Sequence, residues 1–260
     1  MQIVRILAAG ALALSLPATA QAAQIAALWG DNSVSIIDTD KKKVTKTWKI
    51  SGVNGRIVGI DVRPADGMLY GVVADGTVVT IDLASGKATM KSKLETMLPA
   101  VTMATIDFNP AADRLRLIGS EGTNLRANVD DGKVTKDGML KYAEGDANKG
   151  RMPKVVAGAY SNSFKGTKET ALYDIDIANW TFVRQAPPND GVLNTLGKLS
   201  ANGGSLAFDI WSDGRGGNEG WLLNGAMLHR VDIASGKTTP AGKIDGVKGQ
   251  VRDIAILPAM

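Results

Sequence analysis

Along this chain, short apolar runs rich in Val, Ile and Thr alternate with turns of Gly, Asp and Pro every eight to twelve residues. That pattern describes an antiparallel meander. Val58–Met90, VGIDVRPADGMLYGVVADGTVVTIDLASGKATM, shows the unit most regularly. Its apolar runs end at Asp61, Val73 and Asp82, divided by turns at Pro64–Gly67 and Ala74–Gly76, and a turn at Ala84–Lys87 leads into a fourth run. Four strands make one sheet.

The unit recurs. Gly59-Ile-Asp-Val-Arg-Pro64 returns as Thr105-Ile-Asp-Phe-Asn-Pro110, as Ala207–Ser212, more weakly as Gly158–Ser163, and in part as Asp253–Pro258. Counting through Asp61, Asp107, Tyr160, Asp209 and Ala255 gives steps of 46, 53, 49 and 46 residues. A period of this size points to propeller blades. A second motif, Asp82-Leu-Ala-Ser-Gly-Lys-Ala-Thr89, is echoed by Asp232–Thr239, more loosely by Asp130–Thr135 and Asp38–Thr45, with Asp176–Thr181 as a divergent copy. Residues 24–50 supply three strands and no inner one, whereas Val251–Leu257 is an inner strand with nothing after it. Joining them closes a ring and removes the open sheet edge.

The expected fold is therefore all-β. It is a five-bladed β-propeller of four-stranded antiparallel blades over residues 23–260, with the N-terminal strands paired to the C-terminal strand. The blade of Val58–Met90 counts as the first, and the closing blade as the fifth. An open β-sandwich is the alternative, which regular spacing and matched ends disfavour. Lys93–Met103 and Gly191–Gly204 read as longer connections, each able to hold a short helix.

Composition refines this picture. Hydrophobic residues make up 44% of the chain, enough for a sizeable core, and cysteine is absent, so no disulfide holds the fold. Arg5, the apolar run Ile6–Leu16 and Ala20-Gln-Ala22 describe an export signal over residues 1–22, cleaved near Ala22. The mature chain is expected to be periplasmic or secreted, without a membrane span. Loss of Arg5 with that segment lowers the formal net charge from +4 to +3. Such a charge, spread along the chain, excludes a nucleic-acid footprint. The Lys41-Lys42-Lys43 triplet falls in a predicted turn and reads as a solvated tip.

Chemistry is bounded by scarcity. His229 is the one histidine, which excludes a histidine-based zinc or copper site and leaves a Ser-His-Asp triad without a nucleophile elbow. Any metal should be hard and oxygen-ligated, calcium before magnesium. Asp61, Asp107 and Asp209 hold equivalent positions on inner strands. They form either a carboxylate ring around a channel or a set of backbone staples at blade junctions, and their repetition favours the staples.

In the second blade, strand alternation puts Arg114 and Arg116 on one face of their strand, and Asn124, Arg126 and Asn128 likewise on one face of theirs. Paired as a hairpin, they gather three guanidinium groups suited to carboxylate or phosphate. An internal network with Asp61 or Asp107 is the competing reading. Two Gly-rich loops, around Asp146 with Asn148 and around Asp213, are candidate ligand contacts and the places for calcium. Neither fits the EF-hand spacing, and ordinary Asx turns explain both. The five tryptophans are spread widely, which favours packing over a sugar platform.

RPADGMLY at 63–70, DFNPAADRLRLI at 107–118, NLRAN at 124–128, YAEGDANKG at 142–150 and VVAGAYSNSF at 155–164 together resemble a family, domain of unknown function 4394. The resemblance implies an exported bacterial propeller and no activity. Members usually carry a longer Gly-, Ser- and Thr-rich segment in the fourth blade, shortened here to SDGRGGNEG at 212–220.

The expected role is a monomeric, non-enzymatic module binding a small molecule or an envelope protein, without a cofactor. Its ligand region is the end of the ring bearing the three aspartates and the second-blade arginines. One alternative is a carboxylate-based hydrolase or lyase acting on a sugar or lactone, with calcium assistance. Against it, none of Glu95, Glu121, Glu144, Glu169 or Glu219 lies on a predicted inner strand. A structural envelope or matrix protein is the other alternative.

Overall fold

A computed structural model describes residues 23–99, 103–201 and 203–258. The predicted export signal, residues 1–22, lies outside the described residues. Five sheets of antiparallel strands are arranged as a five-bladed β-propeller. Inner strands Ile57–Val62, Ala104–Asn109, Val155–Tyr160, Leu206–Ser212 and Val251–Leu257 each lie against two neighbours, forming a closed ring. Val251–Leu257 pairs antiparallel with Gln24–Trp29, so the two ends of the chain share the closing blade.

Apolar side chains fill the wedges between blades. The fifth and first blades pack Leu28, Val34 and Ile36 against Ile60, Val62 and Leu69. The first and second pack Tyr70 and Val78 against Phe108 and Leu117. Equivalent clusters join third to fourth around Phe182 and Phe208, and fourth to fifth around Leu223 and Ile254. The second-to-third wedge has a smaller apolar cluster around Ile118, Tyr160 and Leu193, and buries a polar network beside it.

Tight turns let neighbouring blades approach. Gly86, at φ +73°, presents its Cα to Trp48, where a Cβ would lie 2.5 Å from Cδ1. Gly236, at φ +72°, sits against Phe182 in the same way. Only glycine combines that backbone conformation with that clearance.

Two sequence expectations shift in the third blade. Gly191–Gly204 is not a long connection, because Val192–Lys198 is the fourth antiparallel strand of that blade, with Lys141–Tyr142 added parallel to it. A single 3-10 turn, Pro188–Asp190, precedes it. The Asp176–Thr181 turn joins the second and third strands of its blade. The Asp82 and Asp232 turns instead join third and fourth strands. Of Lys93–Met103, residues 100–102 lie outside the described residues.

Candidate functional site

A carboxylate on an inner strand can reach the next inner strand because the strands converge at the axis. Asp61 accepts from its own neighbour, Val62 N, at 2.6 Å and from Phe108 N of the second blade at 2.7 Å. Asp107 accepts from Tyr160 N at 2.9 Å. Asp209 accepts from Ile210 N and from Ile256 N of the closing blade, both at 2.6 Å. These bonds set the ring level. Asp61, Asp107, Ala159, Asp209 and Ala255 are equivalent, so the third-blade member is Ala159 and not Tyr160. Asp253, which sequence spacing did not single out, lies two residues lower and bonds Ile60 N at 2.9 Å.

The three aspartates are both staples and a cluster. Each offers one oxygen within 4.8 Å of the others, and all three are buried. Burial first, then the charge of Asp209, raises Asp61 well above the usual carboxylate range, against the pull of its two N–H donors. Burial, then Asp61 and Asp209, does the same to Asp107. Burial pushes Asp209 up to about 7. Such a group can share protons or receive a hard cation.

Above the cluster, at the end where the inner strands finish, lies a cavity of about 480 Å³. Asp61 and Asp209 line it together with Phe164, Lys165, Trp211 and Asp213. Trp211 is 42% exposed and stands two residues after Asp209, where the first blade carries Arg63. Its place beyond an inner-strand aspartate is the signal that could have identified it. Asp213 holds its loop by accepting from Arg215 N at 2.7 Å and Gly217 N at 2.8 Å.

The second-blade residues do not line this cavity. Arg116, opposite Arg126 in the hairpin register, is only 2% exposed. It donates to Asp137 at 2.6 Å, Asn124 at 2.8 Å, Asn189 at 2.8 Å and Tyr160 at 3.1 Å. Arg126 donates to both oxygens of Asp137 at 3.0 Å. The counter-ion is thus Asp137, not Asp61 or Asp107, and the network ties the second blade to the third. Arg114 turns back on the carbonyl of Asp113 at 2.8 Å. Asn128 accepts from Asp130 N at 3.1 Å in an Asx turn.

The Asp146 loop is also held internally. Asp146 accepts from Thr195 N at 2.6 Å, Thr195 Oγ1 at 2.9 Å and Asn148 N at 2.8 Å, while Asn148 Nδ2 donates to Thr195 at 3.1 Å. Burial acts to raise Asp146, but the N–H donors of Thr195 and Asn148 outweigh it and hold the carboxylate below its ordinary value. The first blade carries a further lock, in which buried Arg63 donates to Asp113 at 2.6 and 2.8 Å and to Asp130 at 2.8 and 3.1 Å. His229 lies on an outer-blade strand of the fourth blade, opposite Leu222, and away from the cavity.

The model of a family described as Domain of unknown function (DUF4394) matches residues 33–255. Among curated proteins, none matches the chain. One similar solved structure is a protein of unknown function from Bacteroides caccae. It shares 12% identity at a TM-score of 0.49, over 92% of this chain and 100% of that one. Another is an auxiliary nutrient binding protein from Bacteroides thetaiotaomicron, with 16% identity and a TM-score of 0.47. That match covers 79% of this chain and 51% of the other.

Proposed function

Because the chain belongs to the family of domain of unknown function DUF4394, whose name carries no activity, we propose a role from the site itself. The protein is an exported, non-enzymatic binding module of the cell envelope, and its ligand enters the cavity above the axial aspartates. The observation that carries this reading is the pairing of an exposed Trp211 wall with a floor of buried carboxylates in one 480 Å³ cavity. An aromatic face beside carboxylates suits a small cationic or polyhydroxylated ligand, and the volume falls within the range of small-molecule pockets. Export rests on the charge, apolar run and small-residue pattern of residues 1–22.

Geometry weighs against the hydrolase alternative. Glycosidases need a carboxylate free to attack or to activate water at a scissile bond. Here both oxygens of Asp61 and of Asp209 accept backbone N–H groups, an arrangement suited to proton sharing or cation binding.

A panel of amines and sugars, screened by thermal shift on wild type and Trp211→Ala, tests the reading. A ligand that stabilises wild type and loses at least about tenfold affinity in the variant supports it, as removal of a central aromatic contact should. If neither class binds while glycoside or lactone hydrolysis is detected, the enzyme alternative replaces it.

A further inference from the structure

The opposite mouth of the ring has the reverse chemistry. There a cavity of about 300 Å³ is lined by Val58, Val156, Leu206, Val251 and Trp180, with Arg252 on one side. Arg56 lines it as well, and both arginines continue onto an adjoining shallow groove that includes Lys248.

Arg252 is anchored by neutral acceptors. Its Nε donates to Gly30 O at 2.8 Å, and its Nη2 to Asp31 O at 3.0 Å and Ile57 O at 2.8 Å. Its Nη1 is buried and has no hydrogen-bond partner among the described residues. No ion pair involves Arg252 or Arg56 among those residues. Burial first, then the charge of Arg56, pushes Arg252 down to about 10, against weaker attraction from Asp253 and Asp31. Asp253 is itself raised well above its ordinary value by burial and so gives little compensation. A half-buried cation with no ion-pair partner among the described residues and a buried, unused donor is costly.

We propose that this cavity is a second ligand site, for a small monocarboxylate with an apolar body whose carboxylate sits on exposed Arg56, in the field of the anchored Arg252. The planar guanidinium of Arg56 can donate to the carboxylate, and the ligand's charge adds to the weak attraction that Arg252 has from Asp31 and Asp253. The aliphatic and Trp180 walls receive an alkyl or aryl body, which a phosphate or sulfate lacks. The small volume selects a short acid over a lipid. This site is independent of the Trp211 cavity, from which the axial aspartates separate it.

The test is calorimetric titration of the mature chain with hexanoate, 1-hexanol and inorganic phosphate. Hexanoate should bind saturably with one-to-one stoichiometry, 1-hexanol at least about tenfold more weakly, and phosphate not at all, since a charge-assisted bond is worth a decade or more in affinity. Arg56→Gln and Arg252→Gln should each cost hexanoate the same factor while leaving 1-hexanol unchanged. Because Arg252 also anchors three carbonyls, Val58→Trp provides a second arm, which fills the cavity and leaves both guanidinium groups in place. It should abolish hexanoate binding in a chain that keeps its thermal transition. Trp211→Ala should leave hexanoate binding as in wild type. Equal binding of alcohol and acid, binding retained in Val58→Trp, or no saturation at millimolar hexanoate would overturn the proposal.

Discussion

Asp174 offers the sharpest test of the electrostatics inside this propeller. It lies on the second strand of the third blade, fully buried, and neither carboxylate oxygen has a hydrogen-bond partner among the described residues. Only Gly158 opposite leaves room for it, since a Cβ there would lie 2.2 Å from Oδ1. Burial pushes its pKa up to about 8, against a modest pull from Arg116. An unfolded aspartate titrates near 3.9. Between about pH 4 and about pH 8 the folded chain therefore holds one more proton than the unfolded chain, and stability falls as pH rises. The slope is at most ~1.4 kcal/mol per pH unit, so the loss from pH 5 to pH 7 is on the order of 2.5 kcal/mol.

Asp174→Asn removes this titration while keeping the shape. Urea denaturation of wild type and variant at pH 5, 6 and 7 should show wild type losing stability relative to the variant by that amount. The other buried aspartates titrate in both proteins and cancel from the difference, provided they are not coupled to Asp174. A difference that stays constant within about 0.5 kcal/mol over this range would show that Asp174 ionises normally and refute the reasoning.

Arg116→Ala should lower stability by about 3 kcal/mol in urea melts, because it removes one cation from buried Asp137 and leaves Asn124, Asn189 and Tyr160 without their shared donor. Its effect on binding at the Trp211 cavity should be small. Asp209→Ala leaves the Ile210 and Ile256 N–H groups without an acceptor and should cost about 1–3 kcal/mol, read as a lower thermal midpoint. Gly86→Ala forces a Cβ into Trp48 at a positive φ and should cost about 1–3 kcal/mol, with a change in tryptophan emission. Asp146→Ala frees Thr195 and should make the 143–151 loop cleavable by protease before global unfolding.

Much of this architecture was legible in the sequence. Strand and turn spacing identified five inner strands, four of the five outer hairpins and the pairing of the two chain ends. The third blade resisted because its repeat is irregular, with an added strand at Lys141–Tyr142 and a 3-10 turn before its last antiparallel strand. The pairing of Arg116 with Arg126 was visible as a cluster, from which Arg114 turns away. The direction of that pair was not, because Asp137 lies 21 residues from Arg116 and reaches it only once the hairpin and the following loop are folded.

The sequence by itself determined the strands, their order and the turns between them, since alternation and Gly or Asp turns act within a few residues. Only the tertiary structure decided which polar groups face each other. Ring closure brings Asp253 to Ile60 across 193 residues and sets three carboxylates within 4.8 Å at one level. It also leaves Arg252 at the far mouth with a buried donor, Nη1, that has no partner among the described residues. Such contacts depend on the convergence of five separate blades at an axis, and burial there sets the charge state of each group.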